Sequence, residues 1–222
     1  MSEAADKQII RPPGLAEEVY HRIRADIMSL KIPPDSRIPV DGLARELGVS
    51  HTPIREALSM LEANGLVLKQ RFVGYCTASR MDRSDLDELF EFRLLIEPHA
   101  AAKAADSMTP AQVRNLTGVA GNKALSHDAF ADMDTQFHQL IAQGGGNHLI
   151  SDSLERLHIH VHIFRSCFRQ EITKEAIVEH AEVLKAIRGG NGVQAEKAMR
   201  RHIERSYARL RSFIQDQPRG GR

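Results

Sequence analysis

No stretch of this 222-residue chain approaches the run of about 20 apolar residues that a membrane span requires, which argues against a membrane partner. Cysteine is scarce. Cys76 and Cys167 stand far apart without C-x-x-C spacing, a usage that suits a reducing compartment and argues against a disulfide framework. Net charge is also missing: 30 basic residues face 29 acidic ones, and residues 1–80 hold 11 Lys/Arg against 10 Asp/Glu. Any affinity for nucleic acid must therefore come from where charge sits, not from its sum. There is no internal repeat, and the only low-complexity segment is the closing QDQPRGGR. The opening MSEAADKQIIRPPG mixes acids with bases and has no apolar centre, so it reads as neither signal nor transit peptide, and a cytoplasmic location is expected.

Helical periodicity is what the chain has in quantity. Apolar spacing predicts helices over 15–30, 40–47, 51–64, 82–105, 110–124, 128–143, 147–168, 173–189 and 192–215. Strand composition is confined to residues 66–78, LVLKQ and FVGYCTA on either side of Arg71. A composition break near Ala78–Asp82 separates two domains, 15–79 and 80–215, with tails over 1–14 and 216–222. Ser84 is placed to cap the first helix of the second domain, with Asp85, Asp87 and Glu88 in its opening turns. The fold class expected is mainly α: a winged helix-turn-helix followed by a six-helix all-α bundle.

The segment ARELGVSHTPIREALSMLEANGLV carries the first functional signal. Leu43 and Leu47 pack one short helix, Gly48 allows a tight turn and Val49 fills the junction. Ser50 caps the next helix, and Ile54, Leu58 and Leu61 keep one face of it apolar. Ser50, His51, Thr52 and Arg55 then surround the N-terminal end, where a recognition helix meets bases and phosphates. Arg55 is the first choice for a base or phosphate contact, because a guanidinium grips guanine bidentately. The hairpin adds Lys69, Arg71 and the permissive Gly74 as a wing. A solvated structural hairpin is the bland alternative. The run S-H-T-P-I-R-E-A-L, with VYHRIRADIMSLKIPPDSRI before it and N-G-L-V after it, resembles the GntR family of bacterial transcription regulators over residues 15–78. His51 stands where that family usually has arginine, and Asp41 lies near a position that is basic in some members. The contact set is therefore expected to lean on Arg55, Thr52 and the wing.

Nine of the eleven histidines follow residue 98. Asp134 and His138, four apart, share one helical face, while His180 and His202 lie on two further predicted helices. Three imidazoles and a carboxylate make an N3O donor set that suits Zn²⁺ and also Ni²⁺, Mn²⁺ or Fe²⁺. Taken singly, each of these residues is ordinary. The stretches D-T-Q-F-H-Q-L-I, G-G-N-H-L-I, H-A-E-V-L-K-A-I-R-G-G-N and A-M-R-R-H-I resemble the FCD effector domain of the FadR-type branch of GntR regulators, over about residues 84–211. That resemblance implies a metal held by Asp134, His138, His180 and His202; six helices would place the chain nearer the VanR-like subgroup. Arg93 matches an arginine that the family places beside its effector pocket, and a salt bridge to Glu97, four residues on, is the competing reading. Arg156 or Arg165 could supply further positive charge. His158 and His162, four apart, either line the pocket or are ordinary core or surface residues; His160 points elsewhere.

The resemblance implies a ligand-responsive regulator and not an enzyme: a homodimer on a palindromic double-stranded DNA operator, with a small organic acid held by the metal and Arg93. Relief of repression by the acid is the default sign. A metal-dependent hydrolase and a pure metal sensor are the rivals; no carboxylate stands out as a general base for the first.

Overall fold

Buried positions recur every three or four residues along nearly every helix of this chain, so each element has one face to hide and one to solvate. The computed structural model describes residues 14–121, 127–157, 170–212 and 214, the side chains of 127, 128 and 170–173 excepted. It divides into two compact units, Met1–Ala78 and Ser79–Arg222.

The first unit runs α1 (Leu15–Met28), β1 (Arg37–Ile38), α2 (Val40–Leu47), α3 (His51–Ala63), β2 (Val67–Gln70) and β3 (Gly74–Thr77). Val19, Ile23 and Ile27 of α1 are buried where that helix packs on α3, whose Ile54, Ala57, Leu58 and Leu61 are fully enclosed. Gly48 ends α2 in the left-handed region at φ +67°, which lets the chain turn tightly into α3. Ser50 holds the N-cap position of α3, but its hydroxyl makes no capping bond to the helix. The sheet has three antiparallel strands in the order β1-β3-β2, one more than composition predicts. Two residues are too few to show alternation. Strand β1 is set from across the fold instead: the Thr77 hydroxyl donates to the Pro33 carbonyl at 2.6 Å and accepts from the Ser36 amide at 2.9 Å.

The second unit contains six helices among the described residues: α4 (Arg83–Ser107), α5 (Pro110–Ala120), α6 (His127–Gly144), α7 (His148–Arg156), α8 (Gln170–Arg188) and α9 (Gly192–Arg211). Helix α4 is the axis of the unit and packs on α6, α8 and, most extensively, α9. Asp82, not Ser84, caps α4: its carboxylate accepts from the Asp85 amide at 2.9 Å, and the Asp85 carboxylate accepts from the Asp82 amide at 3.0 Å. A reciprocal pair of carboxylates satisfies two orphan amides and complements the helix dipole, which a lone serine cannot do. Helix α7 ends at Arg156, and residues 158–168 of the predicted 147–168 helix lie outside the described residues. Leu86, Phe90, Phe137, Ile141, Val183, Ile187, Met199 and Ile203 form the centre of the core.

The α6–α7 connection crosses α4 closely. A Cβ at Gly145 would lie 2.8 Å from the Ala100 carbonyl oxygen and 3.3 Å from its Cα, whereas a Cβ at Gly144 would meet only the Met108 side chain. Backbone cannot rotate away; a methionine can. Gly145→Ala should therefore lower the unfolding free energy by about 1–3 kcal/mol, and Gly144→Ala by less. Urea denaturation of both variants checks this, and equal losses would contradict it.

Candidate metal centre and DNA-reading face

Four helices of the second unit interrupt their buried stripes with polar residues. On α4 the sequence of buried positions Leu86, Phe90, Arg93, Glu97, Ala101 and Ala104 carries a cation and an anion. On α6, Phe130, Asp134, Phe137, His138 and Ile141 mix apolar with polar side chains. Helix α8 buries Ala176, Glu179, His180 and Val183, and α9 buries Ala198, Met199, His202 and Ile203. An amphipathic helix puts the i, i+3, i+4 and i+7 positions on one face, so each polar group is forced inward with its apolar neighbours.

These side chains converge. His138, His180 and His202 each offer a ring nitrogen within 4.8 Å of the other two, and their ring centroids stand 4.7–5.3 Å apart. Three atoms so placed share a point at most about 2.8 Å from each, close to the ~2.1 Å of a zinc–imidazole bond. Asp134 Oδ1 lies 3.3 Å from His180 Nε2, inside ion-pair distance, yet neither ring nitrogen of His180 makes a hydrogen bond. That imidazole is fully enclosed and stacked on Phe137 at 4.1 Å. Buried ring nitrogens left without a hydrogen bond are costly. Two ligands of one cation sit about 3.0–3.4 Å apart without bonding each other, which is the Asp134–His180 spacing. The donor set therefore fits a divalent cation.

Two carboxylates orient the other imidazoles. His138 Nδ1 donates to Glu97 Oε2 at 2.5 Å, and Glu97 Oε1 accepts from Arg93 Nε at 2.5 Å. His202 Nδ1 donates to Glu179 Oε2 at 2.9 Å, and Glu179 accepts two bonds from Arg209 at 2.7 and 2.8 Å. A carboxylate can only accept, so each Nδ1 carries the proton and each Nε2 is left for the centre. Neither Glu97 in this role nor Glu179 and Arg209 at all emerges from motif reading. Their positions on the inward stripes of α4 and α8 were the available signal.

The Arg93–Glu97 salt bridge is formed, and Arg93 keeps one buried nitrogen, Nη2, without a hydrogen bond. Arg156 is exposed on the last turn of α7, outside the buried cluster. His158, His160, His162, Arg165 and Cys167 lie outside the described residues.

In the first unit, Ser50, His51, Thr52 and Arg55 are all exposed around the start of α3, as are Lys69, Arg71 and Gly74 on the hairpin. The two departures noted at this face are one feature. His51 Nε2 lies 3.1 Å from Asp41 Oδ1, so the acid of α2 stands against the imidazole of α3.

Burial pushes the His202 imidazole down to about 4 against the pull of Glu179, with the charges of His180 and Arg93 adding to the fall. Burial opposes ionisation of Glu179, yet the bonds from Arg209 and His202 hold it down at about 2. Both groups then bind protons more weakly folded than unfolded. The His202 contribution to stability is whole above 6.5 and is lost as pH falls through about 4; that of Glu179 is whole above 4.5 and is lost towards about 2. In chelator-treated protein, unfolding free energy should fall by on the order of 3 kcal/mol between pH 7 and 4 through His202. His202→Gln should flatten that part of a denaturation profile; an unchanged profile would contradict the assignment.

The chain matches two family models: bacterial regulatory proteins of the gntR family over residues 15–75, and the FCD domain over residues 88–205. It is 24% identical to the HTH-type transcriptional repressor RspR of Escherichia coli K12, covering 90% of each chain. It is 27% identical to the HTH-type transcriptional regulator LutR of Bacillus subtilis, over 77% of this chain and 89% of that one. The solved structure of E. coli McbR/YncC has the same fold, with a TM-score of 0.63 at 19% identity, over 90% of this chain and 98% of that one. A helix-turn-helix of gntR type and an FCD domain thus occupy consecutive parts of one sequence, and the chain belongs to the FadR-type gntR family as a DNA-binding transcription regulator, not an enzyme.

Proposed function

We propose that this protein is a repressor that binds a palindromic operator as a homodimer and releases it when a small carboxylate enters a metal-anchored site in the second unit. The convergence of His138, His180 and His202 with Asp134, in a core where two of the imidazoles are already aimed by glutamates, carries this reading. Those four residues would hold the cation. Zn²⁺ suits the donor set best, and Ni²⁺, Mn²⁺ or Fe²⁺ are compatible with it. Bound there, the ion supplies Lewis-acid positive charge to a ligand.

The charge balance of the layer favours an anion. Counting the imidazoles as neutral, Arg93 and Arg209 face Glu97, Asp134 and Glu179, which leaves one net negative charge. A dication reverses the sign to one net positive. Arg93 then offers its remaining nitrogen as a directional donor to a carboxylate. Operator contact falls to Arg55, Thr52 and Ser50 of α3, with Lys69, Arg71 and Gly74 on the wing; His51 is a weaker contact because Asp41 engages it. Two-fold symmetry pairs the half-sites. The name of RspR, a repressor, supports the sign. The acid acts by binding one dimer arrangement more tightly than the other; without that difference it could shift nothing.

Titration of the metal-free chain with Zn²⁺ by calorimetry should give one site per chain. Glu179→Gln should weaken it about 10–100-fold by freeing the His202 ring, and His180→Ala should abolish it. Unchanged affinity in His180→Ala would overturn the site. For the operator, Arg55→Ala should cost about 1–3 kcal/mol on a duplex enriched by the wild type, at fixed salt. Anisotropy measures it, and an unaltered value would remove Arg55 from the interface. The same measurement with added small carboxylates tests the sign: tighter binding would make the protein act oppositely.

A further inference from the structure

The hairpin tip carries a side chain that the fold does not use. Phe72 is 93% exposed, the most exposed large apolar residue among those described, with Val73 and Leu68 also open beside it. Its backbone is unusual as well. Val73 closes a turn by donating to the Gln70 carbonyl at 3.3 Å, and Phe72 sits at the third position of that turn with φ +66°. Glycine or asparagine normally fills such a position, since a bulky side chain is strained in the left-handed region. Strain without any gain in burial points to a role outside the molecule.

The surroundings say what that role meets. Between Glu62 and Asp82 the chain has no acidic residue but has Lys69, Arg71 and Arg80, in a protein whose overall charges nearly cancel. The Arg71 guanidinium lies 4.7 Å over the Phe72 ring, and the Lys69 ammonium 5.7 Å over the Tyr75 ring. A protein partner would suit an apolar tip, but a tip flanked by cations alone suits a polyanion whose grooves have apolar walls. Duplex DNA is such a polyanion, and apolar wedges entering its minor groove are an established way of gripping it.

We propose that Phe72 is the apolar probe of the wing: its ring enters the minor groove beside the α3 half-site, while Arg71 and Lys69 hold the flanking phosphates. This rests on the operator contact proposed above for the hairpin. It separates affinity into a charged part, sensitive to salt, and an uncharged part that salt does not screen.

The chain contains no tryptophan, so Phe72→Trp places the only indole at the tip. A duplex is first enriched from a randomised pool with the full wild-type chain. On binding it, the indole should become at least threefold less accessible to acrylamide. Phe72→Asn, which suits the positive φ and so spares the fold, should bind the duplex at least tenfold more weakly with an unchanged salt slope. Arg71→Ala should instead reduce that slope by about 1. If the duplex binds with wild-type affinity and the indole stays as accessible as in free protein, the wedge is overturned and the regulator stands. An indole shielded without DNA, with sedimentation showing self-association, overturns it in favour of a second copy of the chain. If no duplex is enriched, the operator reading fails and the wedge with it.

Discussion

The second unit depends on keeping a layer of charge inside a helical core. Arg93, Glu97, Asp134, His138, Glu179, His180 and His202 are all buried. Uncompensated, each ionised group would cost several kcal/mol to remove from water. The layer survives because its charges are chained: guanidinium to carboxylate to imidazole, once through Arg93, Glu97 and His138, and once through Arg209, Glu179 and His202. The two chains approach from different helix pairs, α4 with α6 and α9 with α8. Both end on an imidazole of the buried histidine cluster.

If the layer holds a cation, this arrangement links stability to binding. A layer that is half satisfied is worse than an apolar one, because its unpaired atoms keep the full penalty of desolvation. His180, with neither nitrogen hydrogen-bonded, is where that penalty is concentrated. A cation there would relieve it and hold three helices together through one centre. An anion arriving afterwards would meet a site whose net charge has changed sign. In the proposed function, the binding energies of metal and acid would then be coupled by electrostatics before any movement of the helices is considered.

At the other unit, local sequence carried most of the architecture. The periodic burial of Ile54, Leu58 and Leu61, the left-handed Gly48 and the hairpin that follows α3 all obey rules with a reach of a few residues. The exceptions are contacts across distance. Strand β1 exists because Thr77 bonds Pro33 and Ser36, some forty residues earlier. The Asp41–His51 pair joins α2 to α3 and turns two apparent oddities of composition into one compensated feature. Asp82 rather than Ser84 begins α4 because a pair of carboxylates satisfies two amides at once.

The amino-acid sequence alone determined the helical periods and the domain order, and it singled out Asp134, His138, His180 and His202 as candidate ligands, since these follow from spacing along the chain and from the family resemblance. It left open which carboxylates would stand behind the imidazoles. Glu97 and Glu179 are chemically no different from the other acids of this chain, and only their places on the inward stripes of α4 and α8 mark them. Only tertiary packing, by bringing α4 against α6 and α9 against α8, placed each within hydrogen-bonding reach of a histidine. Hydrogen bonds and coordination are short-range, so partners from separate helices become partners only once the helices have docked.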